Sequence, residues 1–209
     1  MHFPEIYLAS ASPRRHEILT LMGVQHEVLQ VPAPEGEDEP WLPGEAPAVY
    51  VCRTARDKAL RAADWLANRK SAITRPTHRP VLSADTTVIL DDDILGKPST
   101  EQHAQDMLAR LSGRTHAVHT AVALIYNGRL HEKVSITSVR FKPLSDEEIR
   151  LYCSSGEPMG KAGSYGIQGR AGMFVESITG SYTGVMGLPM FETALLLRAL
   201  SDDPRSTGH

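Results

Sequence analysis

Cysteine is nearly absent from this chain. Its two copies, Cys52 and Cys153, form no metal-ligand spacing. They read as small core residues of a protein from a reducing compartment. An excess of one charge is missing too. Twenty-two Lys and Arg stand against 25 Asp and Glu, for a net charge of -3. That excludes a general electrostatic grip on nucleic acid and makes any basic cluster a local feature. No apolar run is long enough to span a membrane, and no charged-then-apolar leader follows Met1. The cytoplasm is the default location. What the chain does have is 41% hydrophobic and 22% charged residues over 209 positions. This is enough to bury one full core. No internal repeat or linker divides it, so residues 1–200 read as one domain and Ser201–His209 as a flexible tail.

Strand and helix signals alternate. Ile6, Tyr7 and Leu8 look like the end of a buried strand. Ser12 and Pro13 then read as an N-cap and a proline at the first helical position, and Gly23 ends that helix. Val24–Val31 reads as a second strand. Pro32–Pro47, with five prolines and four glutamates, reads as a solvated loop. Ala48–Asn68 is a long helix with an expected apolar stripe of Val49, Cys52, Ala55, Ala59, Ala62, Ala63 and Leu66. Val81–Leu90 is a strand and Asp91–Asp93 a solvated turn rather than a metal site. Ser99 with Gln102, and Ser145 with Glu148, read as capping boxes that open two helices. Thr115–Tyr126 and Leu130–Phe141 are strands joined through Asn127-Gly128, a strong hairpin signal. Gly156–Gly172 is glycine-rich and partly regular. Met173–Ile178 is a strand and Gly180–Gly187 a loop. Leu188–Leu200 is a closing helix with Phe191, Leu195, Leu196 and Leu200 inward. Together these elements predict an α/β fold on a mixed sheet.

Three stretches carry chemistry. The first is Leu8–Arg15, Leu-Ala-Ser-Ala-Ser-Pro-Arg-Arg. Arg14 and Arg15 sit in the first turn of a helix, where partial positive charge already gathers. The conflict disappears if an anion binds there, met by backbone N–H groups, serine hydroxyls and two guanidinium forks. The second stretch centres on Asp85, which interrupts an otherwise apolar strand; buried carboxylates are rare unless paired, metal-bound or catalytic. Ser83, Thr86 and Thr87 flank it, and Lys97 lies across a short turn. An Asp and a Lys in one cleft could serve as a water-activating base and a phosphate clamp. The third is Lys161–Gly169, where glycines let backbone approach a ligand. There Gln168 offers an amide for a base edge and Lys161 another charge.

Five stretches in order carry a resemblance over Leu8 to about Leu200: residues 8–15; Ser-Ala-Asp-Thr-Thr with Leu-Gly-Lys-Pro at 83–98; Leu111-Ser-Gly-Arg-Thr-His116; Lys161–Gly169; and Gly180-Ser-Tyr with Gly187-Leu-Pro. The pattern resembles the Maf family of nucleoside triphosphate pyrophosphatases. The resemblance implies a two-lobed α/β fold with a central cleft, related to the inosine triphosphatases. It implies hydrolysis of a nucleoside triphosphate to the monophosphate and pyrophosphate with a divalent cation, Mg²⁺ or Mn²⁺. It further implies a cytoplasmic protein, often a homodimer. Ser10, Arg14 and Arg15 fall on the family's phosphate-binding motif, and Glu35 near its acid after the second strand. Lys58 matches the lysine of the long helix, Asp85 the proton acceptor and Lys97 the lysine of the Gly-Lys-Pro turn. Arg14, Thr86 and Gln168 fall where the family tunes substrate choice. The Tyr-Gly-Ile-Gln-Gly form is similar to the branch acting on dTTP and UTP. The 7-methyl-GTP branch usually carries a Glu near the Gln position. One departure is Gly160, where the pyrimidine branch usually has an acid.

The expected mechanism places the cation on Asp85 and Glu35, with Asp85 as the alternative general base. Arg14, Arg15, Lys58 and Lys97 would neutralise the departing pyrophosphate. A 7-methyl-GTP pyrophosphatase and a nucleotide-binding regulator of septum formation stand as the alternatives.

Overall fold

The computed structural model describes residues 3–32, 39–68 and 79–201. Its centre is β3 (Val81–Leu90), ten residues of which nine are buried. β1 (Ile6–Leu8) runs parallel to β3 and to β2 (His26–Val28). On its other side β3 pairs antiparallel with β5 (Thr115–Tyr126), and β6 (Arg129–Phe141) and β7 (Val175–Thr179) follow antiparallel. β4 (Asp93–Leu95) folds back on the end of β3, giving a seven-stranded mixed sheet. The β5–β6 connection turns at Asn127 and Gly128, both at positive φ, as an Asn-Gly hairpin requires.

Side chains alternate between faces along a strand, so the even-numbered residues of β3 share one face. That face carries two separate cores. Leu82 and Ala84 join Val122 and Leu124 of β5 under α1 (Pro13–Leu21) and α6 (Met190–Ser201). Val88 and Leu90 join Val118 and Phe141 under α3 (Glu101–Leu111) and α4 (Asp146–Cys153). Thr86 and Thr120, one register pair, fall between the two cores. Lobes on either side of a polar seam leave a cleft. The opposite face is closed by α2 (Pro47–Asn68), where Val51, Ala55 and Ala59 meet Ala121 and Ala123 at close range.

Several local expectations need correction. β2 has three residues rather than eight. The inward stripe of α2 holds Val51 and Thr54, while Val49 is 58% exposed. α3 is capped by Thr100, which accepts from His103 N–H, not by Ser99; Gln102 instead donates to Asp106. Phe191 and Leu195 of α6 face outward, and Leu196, Leu197 and Leu200 face the core. The segment read as a loop at 180–187 contains a short helix, α5 (Tyr182–Met186), with Ser181 at its N-cap. In α2 and α6, apolar residues lie on more than one face, so periodicity alone did not orient the helix. The Ser145–Glu148 capping box is present in full. Asp91 and Asp93 pair with Arg114 and Arg110. The tail at 202–209 lies outside the described residues.

Candidate active site

The cleft between the lobes has a volume of about 800 Å³. Among the described residues its lining includes Arg14, Arg15, Lys58, Arg61, Lys97 and Lys161 against the carboxylate of Asp85. Six cations and one acid in a chain of net charge -3 make a local field suited to a polyanion.

α1 supplies the first wall. Pro13 stands at its start, and Ser12, in the N-cap position, makes no side-chain cap bond. The Ser12 N–H instead donates to Ser10 Oγ at 3.2 Å, and Arg15 Nη1 donates to the same oxygen at 3.1 Å. Arg14 Nε donates to Met186 O at 3.2 Å and Arg15 Nε to Gly187 O at 2.8 Å. Each guanidinium is therefore fixed through its inner nitrogen. Burial lowers the Arg15 pKa below the usual arginine value; Asp85 opposes the fall and Arg14 adds to it.

Asp85 supplies the floor, 6% exposed. Its Oδ1 accepts from Lys58 Nζ at 2.7 Å. Lys58 also pairs with Glu39, so one ammonium joins two carboxylates. Ser83, two residues before Asp85, ties β3 to α2 by donating to Ala55 O at 2.5 Å. The neighbouring Thr86 lies 3.0 Å from Thr120 Oγ1, and Thr120 donates its one hydrogen to Gly184 O at 2.8 Å. Thr86 must then be the donor in the pair. It turns lone pairs toward the cleft, which suits a hydroxyl or N–H of a ligand and not a phosphate oxygen.

The glycine-rich stretch supplies the second wall. Lys161 Nζ donates to Glu157 O. Burial lowers the Lys161 pKa, Arg14 across the cleft lowers it further, and Glu157 opposes both. Tyr165 lines the cleft, its hydroxyl 2.8 Å from Nε2 of the buried His116. Gly163, at φ 66°, brings the backbone so close to β3 that a Cβ there would lie 2.8 Å from Val88 Cγ1.

Of the expected site residues, Ser10, Arg14, Arg15, Lys58, Asp85, Thr86, Lys97 and Lys161 all line the one cleft. Gln168 does not. It is exposed at the rim, where a Cβ on Gly166 would meet both Gln168 Oε1 at 3.6 Å and the Lys161 stem at 3.1 Å. Glu35 lies outside the described residues. Sequence reasoning missed Arg61, although its place one helical turn after Lys58 was a usable signal. It also missed Glu39, one of four glutamates in a loop without periodicity, and the α5 carbonyls, which no side-chain pattern could reveal.

Asp85 and Glu39 are a hard-oxygen pair. Their donor chemistry fits Mg²⁺ or Mn²⁺, which takes one or two carboxylates and completes its shell with water and substrate phosphate. The Lys58 ammonium already contacts both carboxylates, so the ion would bind through the oxygens that Lys58 leaves free. Among the described residues no group of three or more His, Cys, Asp and Glu side chains could hold a metal by itself.

Residues 5–200 match the family described as Maf-like protein. The dTTP/UTP pyrophosphatase of Bordetella parapertussis (strain 12822) is 60% identical over 196 residues, covering 94% of this chain and 92% of that protein. That of Aromatoleum aromaticum is 51% identical over 199 residues, covering 93% and 94%. That of Dechloromonas aromatica is 47% identical over 203 residues, covering 95% and 98%. A cleft built for a polyanion and a match over nearly the whole chain agree: this chain belongs to the Maf family.

Proposed function

We propose that the chain hydrolyses dTTP and UTP to the monophosphate and pyrophosphate. The observation that carries this reading is the cleft itself, in which, among the described residues, six cations line a space floored by the buried carboxylate of Asp85. A purely binding site for a triphosphate needs the cations but not the carboxylate. The choice of base rests on the relatives, which bear the name dTTP/UTP pyrophosphatase.

In this reading Asp85 orients a water through Oδ2, since Oδ1 is taken by Lys58. The water oxygen bonds to the α-phosphorus and a water proton passes to Asp85. The bond from that phosphorus to the α–β bridging oxygen breaks, and the bridging oxygen leaves with pyrophosphate. Arg14 and Arg15 hold the outer phosphates, and Lys97 and Lys161 add positive charge beside them. Lys58 keeps Asp85 in place from α2. Asp85 and Glu39 would hold a divalent cation, Mg²⁺ or Mn²⁺, whose role when bound is to offset phosphate charge. Val88, Val118, Val185 and Tyr165 give the cleft an apolar wall for a flat base. The family resemblance also supports a homodimer in the cytoplasm. No helix among the described residues is long and apolar enough to cross a membrane.

Pyrophosphate release from dTTP, UTP, CTP, 7-methyl-GTP, ITP and ATP, with Mg²⁺ or Mn²⁺, tests the reading. Selective turnover of dTTP and UTP is expected. Turnover of 7-methyl-GTP alone overturns the base assignment and keeps the cleft chemistry. Tight binding of one nucleotide with no pyrophosphate released overturns the enzyme reading.

A further inference from the structure

Arginine side chains are long, and holding one in a single geometry costs conformational entropy. In this cleft both arginines are already held. Their inner nitrogens donate to two consecutive backbone carbonyls, Met186 O and Gly187 O, at the end of α5. α5 is too short to be stable alone, and it contains Gly184. Its position comes from two buried threonines of the sheet. At its start, Thr137 Oγ1 of β6 accepts from Ser181 N–H at 2.9 Å and donates to Ser181 O at 3.3 Å. At its middle, Thr120 of β5 donates to Gly184 O at 2.8 Å. Thr120 is fully buried and is not part of the cleft lining. The end of α5 is shaped for close approach as well. Gly187 has φ 116°, and a Cβ there would stand 3.5 Å from Thr86 Oγ1 and 3.7 Å from Arg15 Nε.

We propose that the α5 turn is a carbonyl clamp that presets Arg14 and Arg15 for phosphate, and that Thr120 is the positioning residue that sets it. The clamp uses the Nε–H of each arginine and leaves the outer nitrogens for the ligand, apart from the Arg15 Nη1 hydrogen given to Ser10 Oγ. This role rests on the proposed triphosphate substrate, but the clamp itself can be read without any nucleotide.

Thr120→Val removes both the bond to Gly184 O and the one accepted from Thr86 and keeps the shape, Thr120→Ser restores the hydroxyl, and Gly187→Ala disturbs the clamp from its other end while leaving the Thr120 bonds in place. Two readouts are needed beside a thermal melt. The first is the Arg14 and Arg15 Nε–H signals in isotope-labelled protein without nucleotide, which the clamp protects from solvent exchange. The second is KM for dTTP together with the inhibition constant of inorganic pyrophosphate. The expected result for Thr120→Val is faster exchange at both arginines and a parallel rise of about tenfold in KM and in the pyrophosphate constant, since a small misplacement of a binding group is costly. Thr120→Ser should return both toward the parent values. If Thr120→Val unfolds the protein, Gly187→Ala carries the same expectation. Unchanged exchange and unchanged KM in a folded variant overturn the proposal, as does a fall in kcat alone. Faster exchange in a protein that turns over no nucleotide upholds the clamp and overturns the proposed function.

Discussion

The two walls of the cleft carry charge of the same sign, two arginines against one lysine, and are built in different ways. On the α1 wall, Arg14 and Arg15 are each tied to a backbone carbonyl that lies 172 residues away in the chain. On the glycine-rich wall, Lys161 is tied to Glu157, four residues away, and Tyr165 of the lining is braced by the buried His116. Both walls take long-range ties, since Gly163 N–H donates to Gly96 O and Tyr165 meets His116, but only on the first are the cationic side chains themselves held by distant carbonyls. Forks fixed from behind suit the phosphates, whose geometry every nucleotide shares, whereas a lysine adds a point charge without fixing an orientation.

Breaking the floor between the walls should have the largest effect. Asp85→Asn is expected to lower the rate roughly 10²–10⁴-fold while nucleotide binding persists, the usual weight of a general base; single-turnover kinetics and nucleotide titration check this. Arg15→Lys comes next. A lysine keeps the charge but cannot reach Gly187 O and Ser10 Oγ together as the fork does. A fall in kcat/KM of about 10–100-fold is expected, mostly in KM, at a transition midpoint close to the parent's.

The brace of the second wall should show in stability. Burial lowers the His116 pKa from 6.5 to about 4. The folded protein keeps this ring neutral, whereas the unfolded chain takes up a proton below about pH 6.5. Its contribution is therefore complete above that pH and is lost as pH falls toward 4, with a slope of up to about 1.4 kcal/mol per pH unit. Urea unfolding at pH 7 and pH 5 should show that slope, and His116→Gln should flatten it. The smallest effect belongs to Gln168. It stands at the rim, so Gln168→Ala is expected to shift the ratio of dTTP to CTP turnover by only a few-fold. A loss as large as that of Asp85→Asn would mean that Gln168 takes part in the chemistry from the rim and that the second wall carries as much of the rate as the floor.

The difference between the walls also decided what could be read in advance. Capping at Ser145, the Asn-Gly hairpin and the long strand around Asp85 rest on neighbouring residues, and each stands where the pattern placed it. The Ser99 cap slipped by one residue because Thr100 offers the same chemistry. Phe191 and Val49 are exposed against expectation because apolar residues occupy more than one face of their helices. Arg14 and Arg15 were legible as an anion site because cations at a helix start contradict the local field. What holds them was not, because Met186 and Gly187 contribute only main-chain oxygens.

By itself, then, the sequence determined most of the elements, the mixed α/β class and most of the chemistry-bearing side chains of the cleft. These depend on periodicity, turn residues and charge, all written within a few positions of one another. Only the tertiary structure decided that Glu39 shares Lys58 with Asp85, that Gln168 stands outside the lining, and that α5 grips the arginine pair. Those relations join residues far apart in sequence. They exist because two apolar cores on one sheet face stop short of each other at Thr86 and Thr120. The polar groups left at that seam must find partners, and the partners within reach come from other parts of the fold.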